Sequence, residues 1–109
     1  MRITLPVSGR EVEIQSLSVG QTRELAELER RAALAPEEAR EEAARELATR
    51  REALLDGLYA GLVDETFPAR DAAVLRLVTL RYTYGDNAGS LKNFVAGLTG
   101  TDQDAQPTV

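Results

Sequence analysis

The first sixteen residues alternate between apolar and polar side chains in two short runs. The apolar members are Ile3, Leu5 and Val7 in the first run and Val12 and Ile14 in the second. Alternation of this kind is typical of a strand with one buried face. Ser8 and Gly9 supply the turn, because glycine adopts a positive φ without strain. The pattern predicts a β-hairpin over residues 2–16 whose apolar face packs on helices.

Helical spacing replaces this alternation after residue 17. Ser18 and Gln21 are placed as a capping box, which predicts that a first helix begins at Ser18. Its apolar positions are Leu25, Leu28 and Ala32. Pro36, followed by two glutamates, favours a new helix start with proline in the first helical position.

The second helix is predicted to run over residues 36–62. Its expected core positions are Ala43, Leu47, Leu54, Leu58 and Leu62. Residues 37–51 are polar on nearly every side, and the pairs Glu41–Arg45 and Glu46–Arg50 have the spacing of helical ion pairs. We therefore expect this half to project as a charged arm. In the apolar half, Gly57 and Gly61 lie four residues apart. This spacing indicates close approach either of the third helix or of a second chain.

A third helix is predicted over residues 68–84, closed by Gly85. It has no fully polar face, so it is expected to be the central buried helix. Its apolar residues include Val74, Leu77, Val78 and Leu80. An Asp86 or Asn87 cap should start a short fourth helix over residues 88–98. The apolar face of that helix consists of Leu91, Phe94, Val95 and Leu98.

These elements define the expected organisation of the chain. Residues 1–98 are predicted to form a single domain, with the hairpin over 2–16 and helices over 18–98. The fold class is α+β and mostly α, an N-terminal β-hairpin packed on a bundle of three to four helices. Residues 99–109 are polar and without a pattern, which predicts a flexible tail that is dispensable for folding.

Composition limits the chemistry that this chain can perform. It contains no histidine and no cysteine, which removes the usual ligands of zinc and iron–sulfur sites and the nucleophile pairs that depend on these residues. No phosphate-binding loop is present. The acids Asp64, Glu65 and Asp71 lie around a helix start, where carboxylates are expected on electrostatic grounds. We therefore predict no enzymatic activity, no catalytic residue, no cofactor and no metal.

Charge and hydropathy narrow the class of partner. The net charge is −5, and the arginines of residues 23–51 are interspersed with a larger number of glutamates. A balanced surface of this kind does not favour phosphate binding, so no nucleic-acid partner is expected. No apolar run reaches the ~20 residues of a membrane span or resembles a signal peptide. We expect a cytoplasmic protein without a membrane partner.

Aromatic residues make up only 5% of the chain, and the tyrosines lie near predicted helix ends. Tyrosine suits protein interfaces because one end of its ring is apolar and the other is polar. Positions at the rim of an ordinary core have the same character, so both interpretations stay open. The candidate partner-binding residues are Leu58, Tyr59, Leu62, Tyr82, Tyr84 and Phe94.

Three segments carry a resemblance to a known family. They are ITLPVSGREVEI at residues 3–14 with LSVG at 17–20, the charged helical middle, and LRYTYGD at 80–86 with KN at 92–93. Together they resemble the small tail-assembly chaperones of tailed bacteriophages, over residues 1–98. Phage baseplate chaperones have a similar opening.

The resemblance implies a viral assembly factor in the host cytoplasm. Such chaperones bind the long, aggregation-prone tape-measure protein, help to recruit tail-tube subunits and leave before the particle is complete. They need neither ATP nor metal, and a homo-oligomer is possible. The alternatives are a structural neck, tail-completion or baseplate component of the particle, or a bacterial adaptor protein.

Overall fold

The structure is a computed structural model that describes residues 1–98. The element order is β1 (Arg2–Thr4), β2 (Glu11–Glu13), α1 (Val19–Leu34), α2 (Glu37–Gly57), α3 (Ala69–Thr83) and α4 (Ala88–Leu98). The contacts divide the chain into two compact units. We call residues 1–16 together with 61–98 the hairpin unit, and residues 17–60 the two-helix unit.

The predicted hairpin is confirmed. The two strands are antiparallel, with Ile3 opposite Val12, and Gly9 has the positive φ that the turn requires, 74°. Ile3, Leu5, Val12 and Ile14 are buried. Val7 was expected on the same face, but it is 57% exposed, because β1 ends at Thr4 and Val7 lies in the turn. Alternation in the sequence therefore extends beyond the strand itself.

A buried carboxylate connects this turn to α3. Asp71, in the first turn of α3, is fully buried. Its Oδ1 accepts a hydrogen bond from the backbone N–H of Val7 at 2.8 Å, and its Oδ2 accepts one from the N–H of Ser8 at 2.9 Å. The carboxylate thereby satisfies two backbone donors that the short strand leaves without ladder partners. This side chain holds the hairpin against α3.

The third and fourth helices follow the sequence closely. Pro68 and Tyr84 are the two caps of α3, and the chain leaves the helix through Gly85 at a φ of 107°. Asn87 Oδ1 accepts a hydrogen bond from the N–H of Ser90 at 2.8 Å, which is the predicted cap of α4. Helix α4 contacts both α3 and β1, so the hairpin packs against helix as expected.

The two-helix unit is a helical hairpin. The capping box of Ser18 and Gln21 is present at the start of α1. Residues 35–36 turn the chain so that α2 packs along α1, with Pro36 as N-cap rather than in the first helical position. The charged half of α2 therefore packs along α1, and its projection from the rest of the protein stays a prediction. Arg50 pairs with Glu24 of α1, although the spacing along α2 predicted a pair with Glu46.

Helix α2 ends five residues earlier than predicted, at Gly57. Gly61 lies beyond the helix with a φ of 90°, so the two glycines do not share a helix face. A Cβ at Gly57 would meet no atom within 4 Å, and the approach of the third helix or of a second chain stays a prediction. Among the core positions predicted for α2, none is fully buried; Leu55 is the buried residue of this helix.

Helix α3 contributes six buried residues, the most of any helix in residues 1–98, in agreement with its predicted place in the core. Leu77, however, is 43% exposed, and Leu80 is half-buried. The fold class is confirmed: a two-stranded antiparallel hairpin and four helices. The single domain over 1–98 stays a prediction, and the predicted tail over 99–109 lies outside the described residues.

Candidate functional site

The six candidate partner-binding residues differ widely in exposure. Leu58 and Tyr59 belong to the two-helix unit, where Leu58 is half-buried and Tyr59 is buried. The other four belong to the hairpin unit: Leu62, Tyr82 and Phe94 are half-buried, and Tyr84 is 62% exposed. Tyr84 is thus the member with most surface to offer a partner. Tyr59 offers almost none in this conformation.

Helix α3 carries an apolar surface that the sequence pattern did not distinguish from the core. Ala73, Leu77, Leu80 and Tyr84 follow one another at helical spacing and lie within about 60° of one another around the helix, at 100° per residue. We call these four residues the α3 stripe. Ala73, Leu77 and Tyr84 are exposed, whereas Leu80 is half-buried. Val74, Leu75 and Val78 are buried and form the core side of the same helix.

Arginines border the α3 stripe on both sides. At the same angular step, Arg70 and Arg81 lie along one border and Arg76 along the other. The only acid of α3 is Asp71, and its buried carboxylate faces the hairpin turn. The exposed charge that α3 itself contributes is therefore positive, in a chain whose net charge is −5.

The C-terminal end of the α3 stripe is held in place by α4. The guanidinium of Arg81 lies over the ring of Phe94, 5.1 Å from its centroid. Its Nε donates to Asp86 Oδ2 at 2.7 Å. Phe94 therefore supports a charged neighbour of the stripe, a role in addition to the apolar packing predicted for it. No signal in the sequence identifies this arrangement, because it depends on how α3 and α4 cross.

A concave surface lies between α1 and α2. The groove has a volume of about 580 Å³ and is lined by Glu24, Leu28, Glu42, Arg45, Glu46, Thr49 and Arg50. Six of these seven residues are polar, and the ion pair of Glu24 with Arg50 lies at the groove itself. Charged and polar groups border this groove, whereas the α3 stripe exposes whole apolar side chains, so the α3 stripe is the stronger candidate for an apolar partner.

The carboxylates that the sequence singled out have structural partners. Burial raises the pKa of Asp71, but hydrogen bonds from the Ser8 side chain and from the N–H groups of Val7 and Ser8 hold it below its ordinary value. A hydrogen bond from the Thr66 hydroxyl and another from the Thr66 N–H lower the pKa of Asp64. Both acids are therefore poor proton donors near neutral pH.

Within residues 1–98 no three acidic side chains lie close enough together to hold a metal ion. None of the helices in this range combines the length and the apolar character that a membrane crossing requires. The expected absence of catalysis and of cofactors stays a prediction.

Comparison with known proteins does not place the chain in a family. No family model, no curated protein and no solved structure matches the sequence or the fold. The candidate site therefore has to be interpreted from its own residues: an exposed apolar stripe, bordered by arginines, on a helix whose opposite side is in the core.

Proposed function

We propose that this protein is a non-catalytic assembly chaperone of bacteriophage tails. It acts in the host cytoplasm, where it binds apolar helices of the tape-measure protein and recruits tail-tube subunits. The observation that carries the proposal is the exposure of Leu77 and Tyr84 on α3. Contiguous apolar patches exposed on a protein surface often mark protein-binding sites.

One of the segments that carry the resemblance overlaps the α3 stripe. Leu80 and Tyr84, two members of the α3 stripe, belong to the segment at residues 80–86 that resembles phage tail-assembly chaperones. The alternating charges of α1 and α2 provide a hydrated exterior, which would keep a complex with an apolar partner in solution. Binding of this kind needs no nucleotide, in keeping with a chain that lacks a phosphate-binding loop.

Co-expression with the tape-measure protein encoded nearby tests the proposal. The tape-measure protein should be more soluble in the presence of this chain and should co-purify with it at both low and moderate salt, because burial of apolar surface is only weakly screened. Calorimetry should give a negative heat-capacity change on binding. A tape-measure protein that is equally soluble alone, and that never co-purifies, would contradict the proposal.

Further outcomes identify the alternatives. Mass spectrometry of purified particles would detect a neck, tail-completion or baseplate component and would miss a chaperone that leaves before completion. An overlapping reading frame reached by ribosomal frameshifting favours the chaperone. A bacterial adaptor would bind a host protein instead. Nucleic-acid binding would lose affinity steeply between low and moderate salt.

A further inference from the structure

We propose that the outer edge of β1 binds an extended, acid-bearing segment of a partner protein as an added β-strand. One edge of β1 pairs with β2, and no other strand of residues 1–98 pairs with the opposite edge. A strand edge of this kind exposes backbone N–H and C=O groups to which another chain can form hydrogen bonds. The edge is separate from the α3 stripe, and strand addition there does not depend on the proposed function.

The register of the hairpin determines which backbone groups face outwards. The N–H of Leu5 donates to the Arg10 carbonyl at 2.8 Å. Residues that bond the partner strand alternate in an antiparallel pair, so Ile3 also bonds β2. The N–H and C=O groups of Arg2 and Thr4 therefore point away from β2. In the part of the chain that the structure describes, these outward groups have no hydrogen-bond partner.

Helix α4 forms one wall of a groove along this edge. The groove has a volume of about 390 Å³ and is lined by Arg2, Ile3, Thr4, Lys92, Val95 and Ala96. The lining residues of α4 are three and four positions apart, so they lie on one face of the helix. Ile3 and Val95 are buried and give the groove an apolar floor. A chain between strand and helix can pair its backbone with β1 and pack alternate side chains on this floor.

The side chain of Lys92 selects the charge of the occupant. It is exposed at the groove, and no carboxylate among the described residues pairs with it. Arg2 also lines the groove, but its guanidinium lies 3.6 Å from a Glu11 oxygen and 3.4 Å from a Glu13 oxygen, so its charge is already compensated. The unpaired ammonium beside the edge would pair with an aspartate or glutamate of the added strand.

A second copy of this chain fits the edge less well. Its strands are three residues long, and their apolar side chains, Ile3 and Val12, are already buried in their own core. They are not available to fill the floor of the groove in another copy. Pairing of two β1 strands would also bring no carboxylate to Lys92, because β1 contains only Arg, Ile and Thr. The favoured occupant is therefore a segment of a different protein.

End-blocked hexapeptides test whether an extended chain binds the full-length protein. Each peptide alternates valine with threonine and carries one aspartate, whose position is moved along the series; asparagine replaces it in the matched control. In NMR titrations at low salt, the best aspartate peptide should bind up to about fivefold more tightly than its control, the size that one exposed ion pair produces. In roughly 0.5 M salt this difference should shrink while binding persists.

N-methylation of the best peptide tests for backbone pairing. A strand presents every second N–H to the strand beside it. Methylation of alternate amides in one frame should therefore weaken binding at least about tenfold, whereas methylation in the other frame should retain it.

Proline substitutions in the full chain locate the edge. Thr4→Pro removes an outward N–H of β1 and leaves the bonds to β2 in place, since proline is tolerated where the N–H of an edge strand faces solvent. This variant should weaken the best peptide at least about tenfold. Glu11→Pro is the matched control: Glu11 lies opposite Thr4, and its N–H faces the outer edge of β2, so the affinity should stay within about twofold of wild type.

Lys92→Gln tests the charge of the occupant. It should remove the preference for aspartate over asparagine, whereas Arg23→Gln on α1, in the other unit, should keep it. Circular dichroism checks that every variant is folded.

Hydrogen exchange tests strand addition without any variant. The amides of Arg2 and Thr4 should exchange quickly in the free protein and slowly with the peptide bound, whereas the Ile3 amide should be protected in both states. The proposal is overturned if no peptide of the series binds, if the two methylation frames or the two proline variants bind equally, or if exchange at Thr4 is unchanged. It is also overturned by a dimer that Thr4→Pro dissociates, or by binding that appears only after residues 99–109 are removed, since the occupant would then be this chain itself.

Discussion

Arg81 and Asp86 contact each other twice at the C-terminal end of α3. The Arg81 guanidinium donates to the Asp86 carboxylate at 2.7 Å, and the Asp86 N–H donates to the Arg81 carbonyl at 3.0 Å. The second bond, together with the one from the Gly85 N–H to the Tyr82 carbonyl, forms a Schellman motif. Helix termination and the placement of Arg81 over Phe94 therefore depend on the same few residues.

A double-mutant cycle should detect this coupling. Arg81→Ala and Asp86→Ala each remove the ion pair, and Arg81→Ala also removes the contact with Phe94. Because both side chains are partly exposed, we expect a coupling of about 0.5–1 kcal/mol in the free energy of unfolding. Urea unfolding of the wild type, the two single variants and the double variant provides the measurement. Strictly additive losses would show that the ion pair contributes nothing.

Gly85 should be sensitive to alanine, whereas Gly57 should not. Gly85 has a φ of 107°, a conformation that side chains with a Cβ rarely adopt, so Gly85→Ala should lower the free energy of unfolding by about 1–2 kcal/mol. Gly57 is the last helical residue of α2, with open space where a Cβ would lie. Gly57→Ala should therefore raise the free energy of unfolding by about 0.5 kcal/mol.

Thermal or urea unfolding of the two variants under the same conditions tests this pair. Opposite signs are expected although the chemical change is identical. Equal losses at both positions would mean that the C-terminal turn of α2 has no room for a side chain at residue 57.

The boundaries of α1, α3 and α4 were predictable because local interactions determine them. The caps of these helices are formed by hydrogen bonds to backbone groups only a few residues away, so their positions can be predicted from sequence. The residues concerned are Ser18 with Gln21, Asn87, and Gly85. Gly61 was misassigned because glycine is compatible both with a helix and with a turn, and helical spacing from Gly57 does not distinguish them. Glycine in the sequence allows either conformation, and contacts elsewhere in the structure determine which one forms.

The Asp71 carboxylate should make stability depend on pH in the acid range. Its pKa in the folded protein is lower than its ordinary value of 3.8, so the folded state favours the charged form. The stabilisation is fully present above the pKa of the unfolded chain, near 3.8, and is lost as the pH falls through the lower pKa of the folded state.

Asp71→Asn tests this assignment. An amide has one accepting oxygen, so one of the two N–H groups of Val7 and Ser8 would lose its acceptor, at a cost of about 1–3 kcal/mol at neutral pH. The gap in the free energy of unfolding between wild type and variant should narrow as the pH falls below about 4. Comparing the two proteins removes the contribution of other acids. If the difference in the free energy of unfolding between the two proteins does not change with pH, carboxylates other than Asp71 cause the loss of stability in acid.

The candidate site was only partly accessible from sequence. Tyr84 was identified because a tyrosine near a helix end is polar at one end and apolar at the other, and its exposure agrees with that role. Leu77 was assigned to the core, because α3 is apolar almost all round and periodicity cannot then tell one face from another. Which side is covered depends on contacts with α4 and the hairpin, which no local pattern encodes.

Leu75 and Leu77 provide the sharpest test of which side of α3 is covered. Leu75 is 1% exposed, so Leu75→Ala should leave a cavity and lower the free energy of unfolding by about 2–5 kcal/mol. Leu77 is 43% exposed, so Leu77→Ala should cost less than about 1 kcal/mol. The two substitutions remove the same atoms from the same helix, so helix propensity cancels in the comparison. If urea unfolding gives equal large losses, Leu77 belongs to the core and the α3 stripe is not available to a partner.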